Sequence, residues 1–337
     1  MKKSKMTRVV SLLIIFSLIF VGCGNINTED KTGDSKGEPM NLTFLGASST
    51  GPGAIVMNGL AECINKSYPD SVVTVVPGNL GTNVTRINNG EADGGFSNSS
   101  LVAAARAGEY PYNEEMDNLA SVINTFTGSN HLVFNSELGI DSLEEIIANK
   151  MKLRISIGMP GGSSDIFFQR ILSLYGLTVD DYNSWGGELL NQNIETGIQM
   201  LADKKIDGII LSSFVPTPSI EELSKNKGVV LLKLDTEIIN AMCEEYGYFQ
   251  SVFSAGVYSF LEEDIPNLNT YTTFIVPMDS SEENVYRITR AFYENLDYLR
   301  STHSSMAEVD PGDFVKQSQL DLHPGAEKYY REAGLLK

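Results

Sequence analysis

Three short stretches combine glycines, hydroxyls and helix starts in a way that could hold an anion. The first is GASSTGPG, residues Gly46 to Gly53, between the apolar run LTFL and the helix-like stretch AIVMNGLAECINK. A phosphate-binding loop of Walker type needs Gly, four residues, then Gly-Lys-Ser/Thr, so that a lysine meets the phosphates. Gly46 and Gly51 have that spacing, but Pro52 and Gly53 occupy the lysine and hydroxyl positions. The dinucleotide fingerprint needs G-x-G-x-x-G and an acidic residue after the second strand; neither is present, the second strand being VVTVVPGN. Two readings remain open for Ser48, Ser49, Thr50 and Gly51. They either cap a helix or hold an anion with unpaired helix N–H groups and the positive end of the helix dipole.

The same strand–loop–helix arrangement recurs in SIGMPGGSSDIFF, with Gly162, Ser163 and Ser164, and in GGFSNSSLVAAA, with Asn98 and Ser99. None of the three loops contains Lys or Arg. Ligands of parallel sheets gather at the carboxyl ends of the strands, so the three loops predict a clamp for a small polar anion built from neutral donors. Catalysis is not expected. No strand-to-helix turn of the globular part spells G-x-S-x-G, which a serine nucleophile elbow needs. Three scattered histidines, with no C-x-x-C or H-E-x-x-H, predict no metal site and no cofactor.

The elements that must position these loops alternate between strand and helix, the pattern of a parallel sheet covered by helices. In a first series, helices are predicted over 54–66 and from Thr82 to Gly90, and two strands, LASVINTF and HLVFNS, follow. In a second, Ser142 and Glu145 spell a capping box for LEEIIANK, and Phe167, Ile171, Leu174 and Tyr175 stripe one helix face. Ser219 with Glu222 suggests a further cap. Val285, Ile288, Phe292, Leu296 and Leu299 predict one long helix returning to the first lobe. The expected organisation is two α/β lobes, 40–128 plus 272–337 and 129–271, joined by two extended strands.

Ahead of the globular part, MKKSKMTR and the apolar run Val9–Val21 read as a signal peptide over residues 1–22; the run is short of the about 20 residues a membrane span needs. In FVGCG, Cys23 follows a small glycine, as in a bacterial lipobox, and is the expected lipid anchor. Residues 23–39 contain little that is apolar and read as a tether. Membrane attachment is then through the lipid alone. The chain has 43 acidic and 25 basic residues, a charge of −18; taking away the leader's four positive charges gives −22. Such a surface repels nucleic acid and anionic membranes. Cys63 and Cys243 fall on apolar helix faces and are expected to be buried free thiols.

In order along the chain, FLGASSTGPGAIVMNGLAECINK, INNGEADGGFSNSSLVAAARAG, SLEEIIANKMKLRISIGMPGGSSD, LADKKIDGIILSSFVPTPSIEEL and LHPGAEKYYREAGLL resemble the TAXI-type solute receptors of TRAP transporters, over about 41 to 336. The resemblance implies a type II periplasmic-binding-protein fold, with the ligand in the cleft between two lobes. It also implies a lipoprotein on the outer face of a bacterial cell membrane that delivers a glutamate-like or other organic acid to TRAP permease membrane subunits. By position, the first-lobe ligands would be Ser48, Ser49, Thr50, Gly51, Asn98 and Ser99, facing Gly162, Ser163 and Ser164 of the second lobe. Trp185 either closes over the ligand or is a core indole; Phe214 and Pro216 either shape the wall or only connect. The chain departs from the family pattern where Ala-Ile-Val follows the first glycine run without a Tyr, at Asn98-Ser99-Ser100, and at Ser164-Asp165. His131 and Arg154 begin strands and are read as structural. A sensing lipoprotein of the same fold, signalling to a membrane partner, is the alternative function, and a hydrolase a more distant one.

Overall fold

The computed structural model describes residues 38–47, 52–226, 228–307, 309–316 and 319–337. The expected signal peptide, Cys23, the tether up to residue 37, and the loop residues Ser48, Ser49, Thr50 and Gly51 lie outside them.

Apolar runs of about five residues, each followed by an amphipathic stretch, fold as strand–helix units. The first series is β1 (Asn41–Leu45), α1 (Pro52–Ser67), β2 (Val72–Val76), α2 (Leu80–Asn88), β3 (Gly94–Asn98) and α3 (Ser99–Ala107). Then comes β4 (Ala120–Asn135), and a second series begins with α4 (Leu143–Ala148), β5 (Arg154–Ser156), α5 (Ser163–Leu174) and α6 (Val179–Ser184). It continues through β6 (Glu188–Leu190), α7 (Ile194–Ala202), β7 (Gly208–Ser213), α8 (Pro218–Asn226), β8 (Val229–Leu231), α9 (Thr236–Tyr246) and β9 (Phe249–Phe253). The chain finishes with β10 (Ile265–Val276), α10 (Glu282–Glu294), α11 (Leu296–Thr302) and α12 (Pro324–Glu332).

All ten strands belong to one mixed sheet, with the path β2-β1-β3-β10-β4-β7-β5-β6; β8 pairs with β4 and β9 with β10. Strands β1, β2 and β3 are parallel, as are β5, β6 and β7, while β4 and β10 run antiparallel to their neighbours. These two long strands change partners at one place. Up to Ser129, β4 pairs with β10, and from Ser129 onward with β7. Asn269, opposite Ser129, is where β10 passes from β9 to β4.

Helices cover the sheet on each side of this switch, and apolar strand residues pack beneath them. On one side Phe44, Phe274 and Phe292 pack edge-on, with centroids 4.8 and 5.3 Å apart, beneath α1 and α10. The opposite face is closed by α2 and α3 through Val84, Ile87 and Leu101. On the other side α5 and α9 bury Phe167, Phe168 and Met242, and Leu211, Leu223 and Tyr258 fill the far face. Ile166 of α5 crosses over and packs with Leu45, Val84 and Leu101.

Several expectations are corrected. LASVINTF and HLVFNS are one 16-residue strand, because pairing with β10 and then β7 keeps the intervening TGSN on the ladder. The single long helix over 285–299 breaks at Asn295, whose amide turns to the Ala291 carbonyl and the Ser67 hydroxyl. The helix start at Thr82 moves to Leu80, since Asn79 accepts from the Gly81 and Thr82 amides. Helix α8 starts at Pro218, placing Ser219 inside its first turn rather than at its cap. The Ser142–Glu145 capping box is present. Cys63 is buried, Cys243 half-buried, and both are free. His131 and Arg154 have structural partners: the imidazole meets the Tyr258 hydroxyl at 2.8 Å, and the guanidinium pairs with Asp207.

Candidate functional site

Two adjoining cavities of about 470 and 290 Å³ open where the strands end. They share Ala47, Leu80, Ser163, Ile194, Glu195 and Ser212 as lining. The larger falls in the range of small-molecule sites and the smaller at its lower edge.

Strand direction explains why so many loops meet here. The residues after β1, β2, β3, β5, β6 and β7 all reach the cavities, each at the carboxyl end of its strand. Six helices begin at the same walls, marked by Pro52, Leu80, Asn98, Ser163, Ile194 and Pro218. Each directs N–H groups and a partial positive charge inward. Three have side-chain caps, from Asn79, Asn98 and Asn193. Helix α5 does not: Gly162 offers no side chain, and the Ser163 and Ser164 amides have no acceptor among the described residues. An uncapped start facing a cavity has free N–H donors that can bind an anion.

The floor comes from the two long strands. Thr270 and Thr272, two residues apart on β10 and therefore on one face, line the larger cavity at 4 and 5 % exposure. Neither hydroxyl has a hydrogen-bond partner among the described residues. Phe96, Phe126 and Phe214 supply an apolar wall. Glu195, exposed in the first turn of α7, is the one charged side chain among the described lining residues of either cavity.

Contacts cross directly from one side to the other. The Asn98 amide donates to the Ser163 hydroxyl at 2.7 Å, while its oxygen accepts from the Leu101 amide and the Ser100 hydroxyl. Asp165, 1 % exposed, accepts from the Tyr110 hydroxyl at 2.7 Å, the Gly161 amide and the Gln169 amide. Burial, and then the carboxylate, raise the Tyr110 phenol above its ordinary range. Arg170 donates to the Ser100 carbonyl at 3.1 Å and stacks on the Tyr246 ring. Closest of all is Gly81, where a Cβ would lie 2.5 Å from the Gly161 carbonyl oxygen.

Asn98, Gly162, Ser163, Ser164 and Phe214 all line one or both cavities. Ser164 also accepts from the Ser212 amide, which fixes its hydroxyl. Ser99, Trp185 and Pro216 are not among the lining residues. Ser99 is buried and donates to the Gly247 carbonyl at the end of α9. Trp185 packs on Tyr182 at 5.3 Å beside the second core, with the Lys150 ammonium over its ring. Pro216 is exposed on the turn leading to α8. Ser48, Ser49, Thr50 and Gly51 lie outside the described residues, but their neighbours Ala47, Pro52 and Gly53 line the larger cavity. Gly53 is pressed against Ala47, where a Cβ would overlap at 2.6 Å. Asn83 ties this region to β3 by donating to the Gly46 and Phe96 carbonyls.

Glu195, Thr270, Thr272 and Ser212 escape the sequence reading. The signals were weak: Asn193 before Ile194-Glu195 spells a cap only once β6 is recognised as a three-residue strand, and Thr270 and Thr272 read as ordinary strand residues.

The model of the NMT1-like family matches residues 45–334. Two solved structures share the fold: MatC from Rhodopseudomonas palustris, solved with bound malate, and PhnD1 from Prochlorococcus marinus, solved with methylphosphonate. Each is 13 % identical to this chain, has a TM-score of 0.53, and aligns over 89 % of this chain and 100 % of its own. The architecture is thus the α/β fold of the periplasmic binding proteins.

Proposed function

The chain belongs to the NMT1-like family, and from that premise we propose that it is an extracytoplasmic solute-binding protein with no catalytic step of its own. It captures a small organic acid in the cleft and delivers it to a permease of TRAP type, from a position anchored to the membrane by lipid at Cys23. The ligand enters between two lobes, 40–128 plus 272–337 and 129–271, which turn about the partner switch at Ser129 and Asn269.

One observation carries this reading. Six helix starts converge on the joined cavities, and the start of α5 has neither a side-chain cap nor another acceptor for its first amides. The Ser163 and Ser164 amides lack an acceptor, which costs about 1–3 kcal/mol for each once water is excluded, and a carboxylate would satisfy them. The cross-cleft contacts made by Asn98, Asp165 and Arg170 support a closing motion, since each joins residues of the two proposed lobes. Hinge closure of this kind sequesters ligand from water.

The test is native mass spectrometry of the purified protein, followed by identification of any retained solute. A small acid at near one per chain is the expected result. A protein that carries no solute and shows no heat of binding with a panel of organic acids would remove the proposal.

A further inference from the structure

Taking the solute-binding reading as its base, we propose that the cleft selects an apolar monoacid bearing an amino group, with Glu195 as the residue that reads the amino group. The lining holds little charge. Across both cavities the described residues include no lysine, arginine or histidine, and Glu195 alone carries a charge. It makes no ion pair or hydrogen bond among the described residues, although it lines both cavities. It lies in the first turn of α7, at the edge of both cavities.

Charge then decides between classes of acid. One carboxylate is provided for by the uncapped start of α5 and the hydroxyl of Ser163. A second has no cation to meet and would lie either beside Glu195 or against Phe96, Phe126 and Phe214. Like charges at short range disfavour each other, so a diacid is rejected. An ammonium, by contrast, is the natural partner for a lone carboxylate in a site without other charges. The aromatic wall takes the remaining group, which must be apolar, and the hydroxyls of Thr270 and Thr272, which line the larger cavity, take up what polar surface is left.

The experiment is calorimetric titration of the full-length protein, stripped of solute, with four probes: L-phenylalanine, 3-phenylpropanoate, phenethylamine and L-glutamate. Phenylalanine should bind at least tenfold more tightly than each of the others. In Glu195→Gln its affinity should fall about tenfold to a hundredfold, while 3-phenylpropanoate should bind as well as before or better, so that the preference between the two collapses. Unchanged preference in that variant overturns the role of Glu195. Glutamate binding as tightly as phenylalanine overturns the charge argument while leaving solute capture intact. If none of the four binds, this inference fails; the broader function fails with it only if the native protein also retains no solute.

Discussion

Gly81→Ala separates closure from folding. In the structure the added methyl would lie 2.5 Å from the Gly161 carbonyl oxygen, whereas ordinary contact begins at 3.4 Å; if the two proposed lobes close on solute, this is a contact of the closed state. The start of α2 and the turn before α5 must therefore part by the difference, about 0.9 Å. Forced overpacking of this size costs about 1–3 kcal/mol. If the strain is relieved by opening the cleft, the whole cost falls on the closed state, and affinity drops about fivefold to 150-fold. Opening would remove the contact with Gly161 and leave the open state with the milder one, 3.3 Å, to Asn79 Oδ1. There alanine improves the first turn of α2 by up to about 1 kcal/mol, and the Gly81 amide keeps its bond to Asn79. The assay pairs two readings: the dissociation constant for the solute found on the native protein, and the melting temperature without it. Expected is a weaker complex with an unchanged or higher melting temperature. A lower melting temperature with unchanged affinity would refute the reasoning, because the two sides would then be one rigid body.

Three other outcomes are expected. Ser163→Ala removes a hydroxyl that lines both cavities and accepts from Asn98; solute affinity should fall about twofold to tenfold with little change in the melting temperature of the free protein, read by calorimetry on both. Burial lowers the His131 pKa to about 4, below the 6.5 of a free imidazole, so its contribution is complete above pH 6.5 and is lost as pH falls toward 4. That gap corresponds to about 3 kcal/mol, and urea unfolding at several pH values should show a shallower decline in His131→Asn than in the wild type; parallel curves would exclude it. Burial pushes the Cys63 thiol up to about 12, so iodoacetamide at pH 8 should modify the half-buried Cys243 first and Cys63 only on unfolding, as peptide mass spectrometry will show.

The regular α/β alternation was legible because apolar period and helix stops are local signals. The capping box at Ser142 illustrates this, and the stripe from Val285 to Leu299 marks a buried face although its stop at Asn295 was missed. Short elements were not. Three residues of β6 carry too little pattern to stand out, and without β6 neither α7 nor Glu195 is placed at the cleft. The continuity of β4 depends on β10, 140 residues away along the chain (Ser129 opposite Asn269), which no local window contains. For Trp185 the sequence left two readings open, a lid over the ligand or a core indole, and in the structure the ring packs on Tyr182 beside the second core.

The cores also differ in when they can be completed. Every buried member of the two clusters around α5, α9 and β7 lies between Leu132 and Leu268. The cluster beneath α1 needs residues from both ends of the chain, from Met40 to Ile123 and again from Phe274 to Tyr330. Its last tie is the Tyr330 hydroxyl, which donates to the Val122 carbonyl. During synthesis the middle of the chain therefore has all it needs to collapse while the beginning still waits. Domains commonly fold in the order they are made; here the earliest-made segments must stay unsealed until α12 arrives. A nascent chain in that condition presents Phe44, Val56 and Leu60 to whatever binds unfolded protein, and it remains threadable until α12 has been made.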